Sequence, residues 1–203
     1  AFKENMLESK RERNWFQVNW LLYSFQASYD FNEKTHFSII SHMLDANRYA
    51  VGFRSNRVWM PDLNIERDLI KSDYNNMSVE AKVLHQYKVL NLNSVFLFGA
   101  KFYSGKTFDT QGPGSNGRGA HFDFATDFYP TYVNQSEYLN PNLNYAFFSE
   151  NIIYLTQKMS LTPGIRFEYI KTSSEGSYYT QNTNLAGTVI FEDTVYTDQI
   201  NAR

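Results

Sequence analysis

Cysteine is absent from the 203 residues of this chain. That absence excludes a disulfide framework, a thiolate metal site and a cysteine nucleophile. Long apolar runs are absent too: none approaches the roughly 18 residues that a membrane-spanning helix needs. The formal net charge is only -2, so no bulk field indicates nucleic acid as a partner.

Residues 1–5 do not form the charged segment followed by an apolar one that is typical of a secretory leader. We therefore expect the chain to be cut from something longer. Aromatic residues, by contrast, make up 17% of it. Aromatic rings in such number suit a packed β core or the interfacial girdles of a membrane β-barrel.

Tight turns and long polar connections alternate along the chain. The turns are predicted at 32–34, 90–93 and 156–158, and the long connections at 52–75, 105–142 and 172–203. Outer-membrane barrels have short turns at the periplasmic end and long loops at the outer end. This alternation of short turns and long connections therefore favours a barrel over a soluble sandwich, in which nothing requires all the long loops to lie at one end.

Alternating apolar and polar residues predict six strands. They cover 14–31, 35–51, 76–89, 94–104, 143–155 and 159–171. Strand three is the clearest, with Val79 and Val83 on one face and Glu80 and Lys82 on the other. Strand six also alternates, and Pro163 is expected at a strand end or bulge within it because proline removes a ladder donor.

Two strands alternate less regularly. In strand one the apolar positions change phase near Leu21 and Leu22, which predicts a bulge there. In strand five, Phe147 and Phe148 fall on opposite faces. The polar faces carry charged residues that we expect to pair inside a barrel, namely Glu80, Lys82, Lys88, Arg166 and Glu168.

The predicted fold class is all-β, an antiparallel transmembrane β-barrel. Six strands cannot close such a barrel, for which about eight are needed. An open edge in lipid would leave unpaired amides, each costing several kcal/mol. We therefore interpret residues 1–203 as part of one larger barrel domain, to which the chain contributes about six strands.

Several segments resemble the barrel of TonB-dependent outer-membrane receptors, and specifically receptors of the ferric-dicitrate type. They are 13–20 (RNWFQVNW), 48–57 (RYAVGFRSNR), 67–73 (RDLIKSD), 117–124 (GRGAHFDF), 144–151 (NYAFFSEN) and 160–170 (SLTPGIRFEYI). The resemblance implies a barrel of the 22-stranded type that encloses a plug. It also implies a Gram-negative outer-membrane location, transport of a ferric citrate or siderophore chelate, and no enzymatic activity.

The resemblance further implies partners. They are outer-membrane lipid, TonB acting through an N-terminal region that this chain lacks, the ferric chelate and a surface lipoprotein. No cofactor is expected besides the chelate as cargo, and no nucleic acid. The plug, absent here, would supply much of the ligand site.

Arginines in the predicted loops are the candidate ligand contacts, because guanidinium groups grip carboxylates with two hydrogen bonds. They are Arg54, Arg57, Arg67 and Arg118. Glycines flank Arg118 and allow a ligand to approach the backbone, and His121 follows three residues later. The alternative is that these side chains are solvated, pair with loop carboxylates or hold lipopolysaccharide phosphates.

Two further motifs are weak. His121, Asp123 and Asp127 have ligand types that suit a metal, but the spacing is unspecific and no metal site is predicted. Residues 112–117 match G-x-G-x-x-G, yet a dinucleotide site needs that loop to open a helix. An aromatic, non-helical segment follows it here, so a surface loop is favoured.

Three alternatives stay open. A glycan importer of the same superfamily would stack aromatic rings on sugars, and Phe122, Phe124, Phe128, Tyr129 and Tyr132 offer such rings. A small complete barrel or adhesin of about eight strands would need two more strands from 172–203. A soluble β-sandwich would need polar residues on the faces of strands three, four and six that are apolar.

Overall fold

The computed structural model describes residues 11–54 and 60–202, which form one antiparallel sheet. The strands are β1 (Trp15–Asn32), β2 (Thr35–Gly52), β3 (Arg67–Val89), β4 (Leu92–Gly114), β5 (Ser136–Thr156), β6 (Met159–Leu161), β7 (Gly164–Thr183) and β8 (Val189–Ala202). Each strand pairs with the next one along the chain, except that β5 pairs with both β6 and β7. Among the described residues, no helix has the length and apolarity to cross a membrane.

Tight turns close one end of the sheet, here called the turn end. They lie between β1 and β2, between β3 and β4, and after β5, as the sequence indicates. Leu90 and Asn91 have positive φ angles of 49° and 62°. Those angles match the two-residue hairpin turn whose twist suits the flanking strands. The connections at the other end, the loop end, are 53–66, 115–135 and 184–188.

Pro163 separates β6 from β7 without changing their alignment on β5. Ile153 pairs with Leu161 and Glu150 with Gly164, so one register continues across the break. The predicted position of Pro163 at a strand end is therefore confirmed. The two segments, β6 and β7, together occupy the position of one strand beside β5, here called a wall strand, so the sheet is seven strands wide.

Several strands extend beyond the predicted ranges. β3 and β4 each have 23 residues, about 75 Å of extended chain. They continue into the predicted loops 52–75 and 105–142, where the polar composition hides the pairing. The prediction of a loop over 172–203 is wrong: this segment contains the end of β7, a short turn and the seventh wall strand, β8. Its Ser, Thr and Tyr residues pair through their backbones and need no apolar face.

Cross-strand register places the predicted apolar faces on one side of the sheet, here called the Val79 face. Val79 pairs with Phe102, which pairs with Tyr145, which pairs with Tyr169. The other side, the Glu80 face, carries the charged residues. Their expected pairing is found in Lys82–Glu80 at 2.7 Å and Arg166–Glu168 at 3.1 Å.

The same register shows on which face each of the two neighbouring rings, Phe147 and Phe148, lies. Phe147 pairs with Ala100 on the Val79 face, whereas Phe148 lies on the Glu80 face. The ring of Phe148 covers Gly99, where there is no Cβ to block it, and the Arg166 guanidinium lies 5.7 Å from its centroid. Both rings therefore have a place, one on each face.

The predicted bulge at Leu21–Leu22 is wrong. The register of β1 on β2 is continuous from Trp15 to Asp30. What changes is the character of the two faces. Toward the loop end, the Val79 face of β2 passes from Met43 to Asp45 and Asn47. The Glu80 face of β1 becomes apolar over the same stretch. The apolar residues there are Phe16, Val18, Trp20 and Leu22, which we call the aromatic patch.

The G-x-G-x-x-G match opens no helix. Gly112 and Gly114 belong to the end of β4, and the Phe124 ring covers Gly112. A Cβ on Gly114 would lie 2.9 Å from Cγ2 of Val51. These glycines therefore permit close packing of the loop against the strand ends.

Gly176→Ala is predicted to loosen the β5–β7 ladder. A Cβ at this position overlaps the carbonyl oxygen of Glu137 and stands 2.8 Å from Cα of Tyr138. Overpacking of this kind costs about 1–3 kcal/mol. Hydrogen exchange of the β5–β7 ladder amides in the intact protein, among them the Tyr179 amide that donates to the Gln135 carbonyl at 2.8 Å, should accelerate about 5- to 100-fold. The matched variant Ser177→Ala should leave these amides protected; equal protection in both variants contradicts the prediction.

Candidate functional site

The described loops fold against the strand ends at the loop end of the sheet. The Phe124 backbone forms a bridge with Gly114, and the Ala125 amide donates to the Pro113 carbonyl at 2.7 Å. Val51 and Leu69 are fully buried beneath this layer. We call residues 11–14, 60–67 and 115–125 the loop cap.

Arg67 holds three parts of the loop cap together. Its side chain is completely buried. The guanidinium donates to the carbonyl oxygens of Ser115 at 2.8 Å, Arg13 at 3.0 Å and Gly119 at 2.8 Å, and to Oγ of Ser115 at 2.9 Å. Burial, together with the charge of Arg13, lowers the pKa of Arg67. The oxygens that accept these four hydrogen bonds from the Arg67 guanidinium are all uncharged.

Arg13 makes the second buried junction of the cap. Its guanidinium forms a two-pronged ion pair with Asp62, with Nε to Oδ2 at 2.8 Å and Nη2 to Oδ1. Nη1 donates to the carbonyls of Ile65 at 3.0 Å and Asn116 at 2.8 Å. The hydrogen bond with Arg13 lowers the pKa of the Asp62 carboxyl, and the same bond raises the pKa of Arg13.

These contacts correct one sequence-based hypothesis. Arg67 is among the arginines expected to meet a ligand, but its guanidinium makes four hydrogen bonds within the cap and its surface is covered. It is enclosed because the chain segments before β1 and after β4 meet above the start of β3. Only the folded loops reveal this, since Arg67 looks like any other loop arginine in the sequence.

Asp68 is the centre of a second cluster, on the Glu80 face. The carboxylate is only 5% exposed. It accepts hydrogen bonds from Nη1 of Arg54 at 3.0 Å, from Nε2 of Gln111 at 3.0 Å to both oxygens, and from Oη of Tyr132 at 3.0 Å. Burial, then the charge of Asp68, raises the pKa of Tyr132 to about 12, which keeps the phenol a hydrogen-bond donor.

Arg54 is therefore both anchored and accessible. One nitrogen is fixed by Asp68, while 65% of the side chain stays exposed. A guanidinium has five N–H donors, so several remain for another anion. The Asp68 cluster presents Arg54 at the loop end with much of its conformational freedom already removed.

A polar row crosses the sheet next to this cluster, one step toward the turn end. Nη2 of Arg48 donates to Oγ of Ser72 at 3.4 Å. Oγ of Ser72 donates to Oδ1 of Asp109 at 2.6 Å, and Nδ2 of Asn140 donates to Oδ2 of Asp109 at 3.0 Å. In the described part of the chain, no carboxylate forms an ion pair with Arg48, which makes it, with Arg54, an accessible cation near the loop end of this face.

The aromatic patch lies beside that row. Val18 pairs with Arg48, and Trp20 pairs with Ala46. The Trp20 and Tyr74 rings have centroids 6.3 Å apart. Phe16 and Trp20 are 65% and 58% exposed. Cations and aromatic rings therefore share the loop half of the Glu80 face.

The other predicted site residues are more dispersed. Arg118 is 75% exposed and lies 3.3 Å from Glu12, while its carbonyl accepts from Nε1 of Trp15 at 2.7 Å. His121 is exposed, with its ring over Gly119. Arg57 lies outside the described residues. Within the described ranges, no contact joins Arg54 to Arg118 or His121.

The aromatic residues of the 115–135 connection, which lie between Phe122 and Tyr132, mostly pack against other side chains. Phe122 contacts Tyr49 with centroids 6.0 Å apart, and Nζ of Lys71 lies 5.1 Å from the Phe124 and Tyr49 centroids. Phe128 is the most exposed of the run, at 83%. His121, Asp123 and Asp127 do not converge: residues 11–54 and 60–202 contain no group of three such side chains placed to hold a metal.

The sequence does not predict Asp68 or Gln111 as site residues, and it offers Tyr132 only as a ring that could stack on a sugar. Asp68 and Gln111 lie in segments interpreted as loops, although both continue strands β3 and β4. Extending the alternation of strand three backwards from Glu80 places Asp68 on the same face, which is a usable signal. Tyr132 has no comparable signal, because it follows an irregular connection.

The chain matches no protein-family model and no curated protein. Solved structures do match. The ferric citrate transporter FecA, in its unliganded form, aligns with a TM-score of 0.63 and 12% identity, over 98% of this chain and 26% of that protein. The ferric yersiniabactin uptake receptor FyuA from Yersinia pestis aligns with a TM-score of 0.55 and 14% identity, over 93% and 25%.

These likenesses establish the fold: an all-β antiparallel sheet that matches part of a barrel and is itself not closed. The chain spans about a quarter of the length of either protein.

Arg67→Met is predicted to open the loop cap. The substitution leaves the carbonyls of Ser115, Arg13 and Gly119 without a donor, and each unsatisfied buried group costs about 1–3 kcal/mol. Hydrogen exchange across 115–119 in the intact protein should accelerate at least about tenfold. Arg118→Met, which removes the same charge from an exposed position, should leave that exchange unchanged. Similar exchange in the two variants contradicts the role of Arg67 in holding the loop cap together.

Acid is predicted to weaken the same cap through Asp62. Because the folded state lowers the pKa of Asp62, the ion pair with Arg13 stabilises the cap above the ordinary aspartate range, near 3.9. This stabilisation is lost as the pH falls through the lowered pKa. Exchange at 62–66, corrected for intrinsic rates, should rise as the pH falls below the ordinary aspartate range and through the lowered pKa of Asp62. Asp62→Asn should show faster exchange at neutral pH and a flatter pH dependence; an equally steep dependence excludes Asp62 as the cause.

Proposed function

We propose that this chain is a segment of the wall of a TonB-dependent outer-membrane receptor, and that the intact receptor imports an anionic ferric chelate. The observation that carries the ligand class is the Arg54 guanidinium, fixed by buried Asp68 and open to solvent on the Glu80 face. The family and the outer-membrane location rest on the fold and on the two faces of the sheet.

The Val79 face supports a lipid-facing wall. Its apolar stretch on β3 runs from Met77 to Val89, which is about 40 Å along the strand. Tilted by about 45°, such a strand crosses about 30 Å, the thickness of a hydrocarbon core. The Glu80 face over the same stretch carries paired charges, which suit a wet barrel interior.

The sheet edges support a larger barrel. In the described residues, β1 pairs only with β2, and β8 pairs only with β7. Unpaired edges cannot lie in lipid, because each unsatisfied backbone group costs several kcal/mol. Residues 1–203 are therefore proposed as part of one barrel domain whose further strands complete the wall, with a plug inside it.

Placing the loop end outside the cell gives the site a function. Arg54 and Arg48 then line the outer vestibule, with Arg118, His121 and Arg57 as further candidate contacts from the loops. Charge-assisted hydrogen bonds from arginine to carboxylate suit a ferric citrate or siderophore chelate. TonB, acting through an N-terminal region, supplies the energy for release, and binding and transport require no enzymatic step.

The aromatic patch supports a second candidate function, import of a glycan. Phe16 and Trp20 present exposed rings on the Glu80 face, and flat rings are suitable stacking surfaces for sugars. Arg48 and Arg54 on the same face favour an anion instead. The two candidates differ in which residues carry binding energy.

Arg54→Ala is predicted to weaken binding of ferric citrate by about 10- to 100-fold, since a hydrogen bond to a charged group contributes roughly 1.5–3 kcal/mol. The measurement is equilibrium binding of radioactive ferric citrate to cells that display the intact receptor, together with uptake. Arg118→Ala should reduce binding less, because its loop is exposed. The matched control is Lys158→Ala, the same charge change at the turn end, which should bind normally.

Heat-modifiable migration of each variant first establishes that its barrel is folded. Unchanged binding in Arg54→Ala contradicts the role of Arg54. Loss of a glycan ligand in Trp20→Ala, with no ferric citrate binding by the unaltered receptor, replaces the chelate with the glycan candidate.

A further inference from the structure

Two lysines lie just beyond the apolar band on the Val79 face. The band ends at Met77 and Leu143, which share a row with Ser104 and Lys171. Lys106 lies one step closer to the loop end, paired with Pro141 and Asn75. Both lysines are exposed. Positive charge therefore lies at the loop-side limit of the continuous band, and exposed Phe108 and Leu139 follow one step further toward the loop end.

A groove joins the end of the band to these lysines. It has a volume of about 490 Å³ and is lined by Met77, Leu143, Pro141, Lys106, Lys171 and Ser173, among others. Backbone pairing between β5 and β7 is interrupted at Asn140 and Pro141, although the register is the same on both sides. Proline has no N–H to donate. The groove thus lies over a weak point in the wall, with apolar side chains toward the band and ammonium groups beyond it.

The two ammonium groups have no acidic partner. In the described residues, neither Lys106 nor Lys171 forms an ion pair with a carboxylate. Asp45 lies in the same row as Lys106 but two strands away. Asp73 and Glu175 lie one step further toward the loop end. The level of the lysines therefore separates the apolar band from a mixed level, on which Phe108 and Leu139 lie between Asp73 and Glu175.

We propose that this groove binds the phosphorylated headgroup of an anionic lipid of the outer leaflet. The inference rests on the proposed outer-membrane location, which places the lysines where headgroups begin. Lys106 and Lys171 donate charge-assisted hydrogen bonds to phosphate oxygens. Met77 and Leu143 meet the first carbons of an acyl chain. Basic residues at a membrane surface attract anionic lipids in this way.

The test is native mass spectrometry of the intact receptor in mild detergent, titrated with diphosphoryl lipid A. The variant is Lys106→Gln with Lys171→Gln. The matched control is Lys34→Gln with Lys158→Gln, the same loss of charge at the turn end, where both lysines are exposed. We expect lipid A to bind at least about tenfold more weakly to the first variant and equally well to the control.

Two further probes identify the chemistry. Lipid A stripped of both phosphates should bind weakly to every variant, and inorganic phosphate alone should not displace diphosphoryl lipid A. Arginine at both positions should restore binding, which separates charge from folding. The proposal is overturned by equal binding in the two double variants, by undiminished binding of the dephosphorylated lipid, or by displacement with free phosphate.

Binding of ferric citrate, measured on the same variants, tests the proposed function separately from this inference. Lys106→Gln with Lys171→Gln should still bind ferric citrate, since neither lysine lies on the Glu80 face. An unaltered receptor that binds lipid A but no ferric chelate refutes the import proposal and leaves the lipid site standing.

Discussion

Every feature of this molecule depends on one continuous antiparallel ladder. Because the backbone groups of β1–β5 are paired in continuous register, apart from one shift beside the first turn at Asp30–Asn32, the side chains are free to meet different surroundings on the two faces. The same ladder carries an apolar stretch at Val79 and Phe102 and a polar row at Ser72 and Asp109. A sheet one layer thick has little core of its own, so its side chains are matched to whatever lies on each side.

The loop cap is the exception, because there the chain buries polar groups. Arg67 and Arg13 are enclosed by carbonyl oxygens and by Asp62. Removing one partner from such a buried set is costly, whereas exposed pairs such as Arg118–Glu12 contribute little. The cap is thus fixed by buried arginines, and this rigidity lets Asp68 hold Arg54 at the surface. Buried Arg67 and exposed Arg54 both lie next to Asp68, in the chain or in space, and differ in enclosure.

The proposed functions are assigned to different parts of the sheet, according to the face and the distance along the strands from the turn end to the loop end. On the Glu80 face, paired charges near the turn end give way to Arg48, Arg54 and the aromatic patch near the loop end. On the Val79 face, the apolar band gives way to Lys106 and Lys171, and then to Phe108 and Leu139 flanked by Asp73 and Glu175. A strand of 23 residues is long enough for a membrane span and for a vestibule above it. The two proposals therefore place ligand capture and lipid contact on opposite faces of the same strands.

The sequence by itself determined the antiparallel pairing, the tight turns, the break at Pro163 and the common apolar face of strands three, four and six, because these follow from local period and turn chemistry. It placed Arg54 and Arg118 in exposed loops. It misjudged Leu21–Leu22, 172–203 and Arg67. The first reflects a change of surroundings along an unbroken strand, and the second a strand paired without an apolar face. Only the tertiary structure decided that Arg67 is buried and that Asp68 anchors Arg54, because both depend on loops that meet from distant parts of the chain.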